Sequence, residues 1–308
     1  MIISASRRTD IPSCYADWFF NRVQEGFVYT RNPKNYHQVS RISLEIDKVD
    51  GIVFWTKNPL PMLPRLQELS SFPYYFQYTL TPYGRDIEPS VPPKIEVGIP
   101  SFCRLSDTIG PDRVIWRYDP ILVTTFYSID YHLRYFTKMA GLLKGYTNRC
   151  TISFLDLYSN MRKNTDKLGL IMISEKEQHY LCENFSSIAH ANGMEIDTCS
   201  ESIDTSRYGM GHARCIDDRL LEKIGGKPLT LSKDKNQRLE CGCVTSKDIG
   251  MYDTCCNGCL YCYATRNTGQ GRRNNALHDP HSPLLIGTLS DGDELAELTH
   301  GATQLTLF

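Results

Sequence analysis

The residues best suited to chemistry are three cysteines on one short loop, Cys255, Cys259 and Cys262. Their spacing is Cys-x3-Cys-x2-Cys, and Gly258 between the first two lets the backbone curl tightly because it has no Cβ atom. Three thiolates on one loop can ligate three irons of a cubane 4Fe–4S cluster and leave the fourth iron open to an exogenous ligand. The loop therefore predicts an iron–sulfur site with an open coordination position.

Zinc is the alternative metal for this loop. A zinc ion takes four nitrogen or sulfur ligands, and Cys256, Cys241 or Cys243 could complete the set. Zinc knuckles usually pair two short Cys-x-x-Cys units, whereas here three cysteines enclose an aromatic residue. Iron–sulfur is therefore the preferred interpretation, and Cys256 is then expected to have no ligand role.

Four more cysteines form a second candidate metal site: Cys199, Cys215, Cys241 and Cys243. Four thiolates are enough for an auxiliary 4Fe–4S cluster or for a structural zinc ion. The alternative is that Cys199 and Cys215 are small buried hydrophobic residues, as free cysteines often are. The remaining cysteines are expected to pack within helices and strands, and they are Cys14, Cys103, Cys150 and Cys182.

Two arginines follow the first predicted strand directly. Arg7 and Arg8 could bind a substrate anion through paired hydrogen bonds. They could equally form a structural ion pair with Asp10 or Asp119. Arg7 is the candidate for a catalytic or substrate-binding role.

Three further charged residues at predicted strand ends are candidate catalytic groups: Lys57, Arg117 and Asp119. Lys57 could clamp a charged ligand, or it could be a surface lysine with a buried stem. Arg117 and Asp119 could grip a polar ligand or pair with each other inside the fold.

Apolar β-rich runs alternate with amphipathic helical patterns over the first 200 residues. Strands are predicted at 1–6, 51–56, 74–80, 113–118, 151–156 and 194–198, with an extended segment at 37–44. Helices are predicted at 13–24, 62–70, 129–143 and 174–191, the last with a capping box formed by Ser174 and Glu177. This alternation predicts an α/β fold, a partial or full parallel (β/α) barrel, and no Gly-rich turn follows the first strand to favour a dinucleotide-binding sheet.

The composition divides the chain into three predicted parts. Residues 1–225 form the barrel domain, 226–273 a cysteine-rich cluster-binding segment, and 274–308 a polar C-terminal tail. Six cysteines and few long apolar runs mark the second part, so a metal must supply the stability that a small core cannot.

The net charge and the N-terminal residues limit the possible functions further. With 34 Lys and Arg against 35 Asp and Glu, the net charge of −1 excludes nucleic-acid binding by bulk electrostatics alone. No signal-peptide pattern and no membrane-length apolar run is visible, so we expect a cytoplasmic protein with no membrane contact. Clustered cysteines in a reducing cytosol favour metal binding over disulfides.

The cysteine loop resembles the signature of the radical S-adenosylmethionine superfamily, and the string CLYCYA at 259–264 is most similar to the spore photoproduct lyase branch. The resemblance implies a 4Fe–4S cluster on Cys255, Cys259 and Cys262, with S-adenosylmethionine on the open iron and Tyr261 against its adenine. It also implies a 5′-deoxyadenosyl radical and an electron donor such as flavodoxin or ferredoxin. Over its whole length, the chain also resembles a bacterial family of unknown function through SASRRTDIP, FWTKNP and WRYDP.

One feature departs from the superfamily pattern. There the cysteine loop normally follows the first barrel strand, whereas here it follows all the predicted strands, and no Gly-Gly-Glu motif is apparent. Either the barrel is permuted or the loop folds back over the barrel mouth.

The last five residues resemble the bacterial sliding-clamp-binding pentapeptide, and they are Gln304, Leu305, Thr306, Leu307 and Phe308. The alternative is a terminal apolar segment that docks on the protein itself. A clamp-bound enzyme would work on DNA, with Arg266, Arg272 and Arg273 contacting phosphates.

The sequence thus predicts a radical S-adenosylmethionine enzyme, of the lyase or oxidoreductase class, with one or two clusters and a nucleic-acid lesion as the favoured substrate. A zinc-stabilised barrel protein that binds a small anion is one alternative. An electron-transfer iron–sulfur protein is the other.

Overall fold

The computed structural model describes residues 1–158 and 161–297 of the chain. It contains two β-sheets. The strands are β1 (Ile2–Ala5), β2 (Phe27–Asn32), β3 (Asn35–Ser43), β4 (Gly51–Thr56), β5 (Tyr74–Thr79), β6 (Val114–Ile121), β7 (Arg149–Phe154), β8 (Glu195–Thr198), β9 (Gly211–His212), β10 (Lys247–Asp248) and β11 (Glu294–Glu297). The larger sheet has eight parallel strands in the order β10-β1-β4-β5-β6-β7-β8-β9, and the smaller has the order β11-β3-β2. The prediction of an α/β fold with a parallel sheet is therefore confirmed.

Eight α-helices lie in the described part of the chain. They are α1 (Ile11–Cys14), α2 (Ala16–Glu25), α3 (Ile99–Ile109), α4 (Ile129–Leu143), α5 (Arg162–Thr165), α6 (Glu175–Ala191), α7 (Asp218–Gly225) and α8 (Thr268–Ala276). The Ser174–Glu177 capping box that was predicted for α6 is present, since the Ser174 side chain accepts from the Glu177 backbone N–H. Among the helices of the described residues, none is long and apolar enough to cross a membrane. The cytoplasmic location stays a prediction.

The central strands are apolar on both faces, and each face has its own core. Phe54 and Phe76 point to the outer face, where their rings stack with centroids 4.7 Å apart beneath α2, α3, α4 and α6. Val53 and Tyr75 point to the opposite, inner face, which is covered by α7 and by the segment after it. Burial on both sides explains why these strands lack the polar alternation of a solvated sheet.

The sheet does not close, so the expectation of a full barrel is wrong. Among the described residues, β9 and β10 are its two edges, and each has only two residues. The chain between them crosses the inner face instead: Gly242 N–H donates to Ala213 O at 3.3 Å, and Val244 N–H donates to Ile216 O at 3.2 Å. Irregular backbone therefore lies where further strand pairing would be needed to complete a barrel.

The short strand β10 determines where the cysteine loop lies. It pairs with β1 in parallel, with Asp248 opposite Ser4, so both strands end at the same edge of the sheet. The loop of residues 255–262 begins seven residues beyond β10 and therefore starts at the carboxyl edge. Carboxyl edges of parallel sheets are the usual place of binding and catalytic sites.

Candidate functional site

A cavity of about 600 Å³ opens at the carboxyl edge of the large sheet. Its wall includes all four predicted catalytic residues, Tyr261 and all seven predicted metal ligands. These residues are Arg7, Lys57, Arg117, Asp119, Tyr261, Cys199, Cys215, Cys241, Cys243, Cys255, Cys259 and Cys262. The fold thus brings together residues that are up to 255 positions apart in the sequence. Their metal, cofactor and catalytic roles stay predictions.

The cysteine loop is fastened to the turns that follow β1 and β4. The buried carboxylate of Asp10 accepts hydrogen bonds from Asn257 Nδ2 and from the Lys57 backbone N–H, both at 2.8 Å. Asn257 lies between the first two cysteines of the loop, and the next residue, Gly258, has φ +71°, which a glycine adopts without strain. The Leu260 N–H donates to Ile87 O at 3.0 Å. These contacts hold the loop at the cavity wall.

The three cysteines of the loop are free thiols. Cys259 is buried, and burial raises its pKa well above the ordinary value. Burial likewise raises the pKa of Cys262 to about 11. Neutral thiols in this setting become thiolates when a metal displaces the proton. Within residues 1–158 and 161–297, no three His, Cys, Asp or Glu side chains are grouped so as to hold one metal ion.

A buried ion-pair network lies behind the loop. Glu88 has no exposed side-chain surface and accepts hydrogen bonds from Lys57 Nζ at 2.7 Å, from Lys94 Nζ and from the Tyr261 hydroxyl. The Lys57 ammonium also lies 5.4 Å from the centre of the Tyr261 ring. Although burial opposes ionisation, the two lysines hold the pKa of Glu88 well below its usual range. Glu88 thus fixes the hydroxyl end of Tyr261.

Glu88 was not among the residues singled out from the sequence. It lies in the polar stretch RDIEPS, where a carboxylate is expected to be solvated. Its partners come from the turn after β4, from Lys94 and from the cysteine loop, and only the fold brings these segments together. No local pattern could have identified it.

The four cysteines of the second set also lie together. Cys199 Sγ is 3.4 Å from Cys215 Sγ, and the thiol of Cys243 interacts electrostatically with those of Cys215 and Cys241. Polar hydrogens point at two of these sulfurs: Arg117 Nη1 is 2.9 Å from Cys215 Sγ, and the Ile216 N–H donates to Cys243 Sγ at 3.3 Å. Residues from both edges of the open sheet therefore meet in one group of thiols.

The charged residues at the strand ends are paired. Arg117 Nε donates to Asp119 Oδ2 at 3.0 Å, so the internal ion pair that was considered for these two residues is formed. Arg7 Nη2 lies 3.8 Å from Asp234 Oδ2, and Arg8 Nε lies 3.9 Å from Asp248 Oδ1. The carboxylates that meet the two arginines thus come from the C-terminal third of the chain. The sequence suggested Asp10 or Asp119 instead.

The basic residues beside the cysteine loop have partners too. Arg266 Nε donates to Asp253 Oδ2 at 2.9 Å, and Arg273 Nη2 donates to Gln270 Oε1 at 2.7 Å. Arg272 Nη2 is 3.4 Å from Ser90 Oγ. All three arginines lie on the part of the chain that follows the loop, and the predicted clamp-binding residues 304–308 lie outside the described residues.

Comparison with known proteins gives a family without a known activity. None of the curated proteins compared with the chain matches it. A family model described as a domain of unknown function, DUF1848, matches residues 2–264. The matched range includes every predicted metal ligand and ends two residues beyond Cys262. The resemblance to a family of unknown function is thereby confirmed, and the chain belongs to the DUF1848 family.

Proposed function

We propose that the chain is a radical S-adenosylmethionine enzyme whose catalytic 4Fe–4S cluster is bound by Cys255, Cys259 and Cys262. The observation that carries the proposal is the place of the cysteine loop in the sheet. The loop follows β10, and β10 lies beside β1 in the same parallel order as the remaining strands. If β10 is counted as the first strand, the loop occupies the position that the superfamily gives it, in a permuted chain.

The donor set fits such a cluster. Three thiols on one curled loop face a cavity large enough for a cluster and a small ligand, and no disulfide engages them. A cluster held by Cys255, Cys259 and Cys262 would supply the one-electron reduction that cleaves S-adenosylmethionine into methionine and a 5′-deoxyadenosyl radical, and that radical would take a hydrogen atom from the substrate. A reduced flavodoxin or ferredoxin would supply the electron.

The protein's own residues have definite roles in this proposal. Tyr261 presents its ring to the cavity while Glu88 holds its hydroxyl, so the ring is a fixed surface for a flat heterocycle. Arg7 and Arg8 follow β1, the neighbour of the loop-bearing strand, and supply positive charge to the same wall. The Arg117–Asp119 pair offers both a donor and an acceptor across the cavity.

A nucleic-acid lesion remains the substrate that we favour. The support is the similarity of the loop to spore photoproduct lyase, together with the exposed arginines at 266 and 272–273 beside it. The net charge of −1 means that DNA would have to be held by this local patch and by the predicted clamp-binding tail.

The test is turnover of S-adenosylmethionine by the anaerobically purified chain with dithionite. We expect 5′-deoxyadenosine to accumulate, and we expect Cys259→Ala to abolish it because one cluster ligand is lost. Cys150→Ala, at a buried thiol in β7 away from the cavity, is the matched control and should keep the activity.

Two outcomes would reject the proposal. Protein that contains iron but releases no 5′-deoxyadenosine would be an electron-transfer protein. Protein that contains only zinc would be a zinc-stabilised binding protein, whose cavity arginines suit a small anion.

A further inference from the structure

We propose that Cys199 and Cys215 form a reversible disulfide, by exchange with a small-molecule disulfide that enters the cavity. The two thiols are then a site of redox modification and not ligands of a metal. This inference does not depend on the radical chemistry, since neither thiol belongs to the cysteine loop.

The two sulfur atoms are already close to each other. Cys199 Sγ lies 3.4 Å from Cys215 Sγ, whereas a disulfide joins its sulfurs at about 2.05 Å. The sulfurs therefore need to approach by about 1.4 Å, which rotation about the side-chain bonds can supply. In the described part of the chain, no three His, Cys, Asp or Glu side chains are grouped to hold a metal ion, so the geometry favours a bond between this pair.

The pairing of β8 with β9 brings the two backbones together. Thr198 lies opposite His212 in this parallel pair, and the Ala213 N–H donates to Thr198 O at 2.7 Å. Cys199 follows Thr198 directly, and Cys215 comes two residues after Ala213. The approach of the two thiols is therefore set by strand pairing.

Cys215 is held in place at its backbone and at its sulfur. Its carbonyl oxygen accepts hydrogen bonds from the Tyr75 hydroxyl at 2.7 Å and from Gln77 Nε2 at 3.0 Å. Arg117 Nη1 lies 2.9 Å from its sulfur. Cys215 thus presents a fixed sulfur to Cys199, which is the more exposed of the two thiols.

This difference in exposure gives the order of the reaction. Both thiols line the cavity of about 600 Å³, and Cys199 is the one that an incoming disulfide reaches first. The Cys199 thiolate attacks that disulfide, whose S–S bond breaks and releases one small thiol. The Cys215 thiolate then attacks the Cys199 sulfur and releases the second. Two protein thiols are thereby oxidised, the small disulfide is reduced to two thiols, and the two protein protons pass to the released thiols.

The bond would stabilise an edge of the large sheet. Within the described residues, β9 is one of its two edges and has only two residues. A bond between Cys199 and Cys215 closes the chain that contains β9 into a short loop, which restricts the unfolded chain. We therefore expect the oxidised protein to have a Tm several degrees above that of the reduced protein.

The experiment exposes the full, reduced chain to oxidised glutathione, blocks the remaining thiols and maps the peptides by mass spectrometry. Trypsin cuts after Arg207 and Arg214, so a Cys199–Cys215 bond joins two separate peptides. We expect this pair of peptides to be the main disulfide product and to separate again in dithiothreitol.

Three variants check the two partners. C199S should remove the link, and C215S should stop the reaction at a mixed disulfide between Cys199 and glutathione. The matched control is C150S, at a buried thiol in β7 outside the cavity wall, which should form the link as the wild type does.

Three results would overturn the inference. They are free Cys199 and Cys215 thiols in a large excess of oxidised glutathione, a link between other cysteines in place of this one, and a metal ion that stays bound to both thiols. If a variant does not fold, the peptide map of the wild type decides alone. None of these results bears on the catalytic cluster, which release of 5′-deoxyadenosine tests separately.

Discussion

At the residue scale, Glu88 shows how a single buried carboxylate organises the cavity wall. Its two oxygens accept hydrogen bonds from Lys57, Lys94, Thr81 and Tyr261, which come from four different segments. A buried carboxylate is favourable only when such partners replace its hydration. The cavity therefore has a rigid side that does not depend on any bound group.

Replacement of Glu88 by Gln should lower the free energy of unfolding by about 3 kcal/mol, because two lysine charges that are each only 12% exposed lose their counterion. Urea denaturation measures this loss. The matched control is Glu68→Gln, at the surface pair with Arg65, where we expect a loss below about 1 kcal/mol. Equal losses in the two variants would contradict the role given to Glu88.

Gly271 in α8 is a second residue with a specific constraint. A Cβ atom at this position would lie 2.4 Å from the carbonyl oxygen of Cys255, so either the backbone of the cysteine loop or the helix must move. Gly271→Ala should therefore reduce stability by about 2 kcal/mol and lower the iron content of the protein.

The control for that variant is Gly141→Ala in α4, where an added Cβ meets no atom within 4 Å. Alanine there should raise the free energy of unfolding by about 0.5–1 kcal/mol through helix propensity. A Gly271→Ala protein as stable and as rich in iron as Gly141→Ala would show that α8 does not fix the loop.

At the scale of elements, sequence pattern predicted several of the helices and central strands. The predicted helix at 129–143 is α4, and the predicted strand at 51–56 is β4. The segment 62–70 forms a 3-10 helix, Leu63–Leu69, whose first turn contains Pro64. Periodicity over many residues outweighs local irregularity, which is why these elements could be predicted.

The elements that sequence pattern did not predict include the two shortest strands of the large sheet and one long helix. β9 and β10 have two residues each, too few for any alternation, and they become strands only because β8 and β1 offer free edges. The helix at Ile99–Ile109 was also missed, and it carries Pro100 in its first turn. The location of the cysteine loop depends on β10, so that part of the site could not be derived from the sequence.

Helix α4 contributes a buried histidine, His132. The imidazole of His132 is fully buried, with Nδ1 2.8 Å from the Tyr118 hydroxyl and Nε2 2.8 Å from Leu122 O. Burial lowers the pKa of His132 to about 4 from an ordinary value of 6.5. Between these two values the unfolded chain binds more protons than the folded one, so stability falls as the pH falls through this window.

Because of this group, we expect the free energy of unfolding to fall by about 2 kcal/mol when the pH is lowered from 7.5 to 5. The variant His132→Gln has no titrating group at this position, so its free energy of unfolding should fall less between pH 7.5 and pH 5. We expect the variant to be less stable than the wild type at pH 7.5. Urea denaturation at closely spaced pH values measures both curves. Parallel curves for the two proteins would be inconsistent with a neutral buried imidazole.

At the scale of the whole molecule, the order of strands carries the functional proposal. Seven strands of the large sheet, from β1 to β9 without the β2–β3 hairpin, lie side by side in chain order. The strand β10 comes last in the sequence of this sheet, but it pairs with the other edge of β1. Because β10 pairs with β1, the C-terminal cysteine loop lies next to the first βα turn. The same arrangement brings both sets of cysteines to one cavity.

Iron analysis of the anaerobically purified and reconstituted chain tests the catalytic cluster most directly. We predict about four irons per chain, lost on Cys259→Ala and kept on Cys150→Ala, with an electron paramagnetic resonance signal that shifts when S-adenosylmethionine is added. Colourless protein that takes up zinc but no iron under the same conditions would contradict a 4Fe–4S site on Cys255, Cys259 and Cys262.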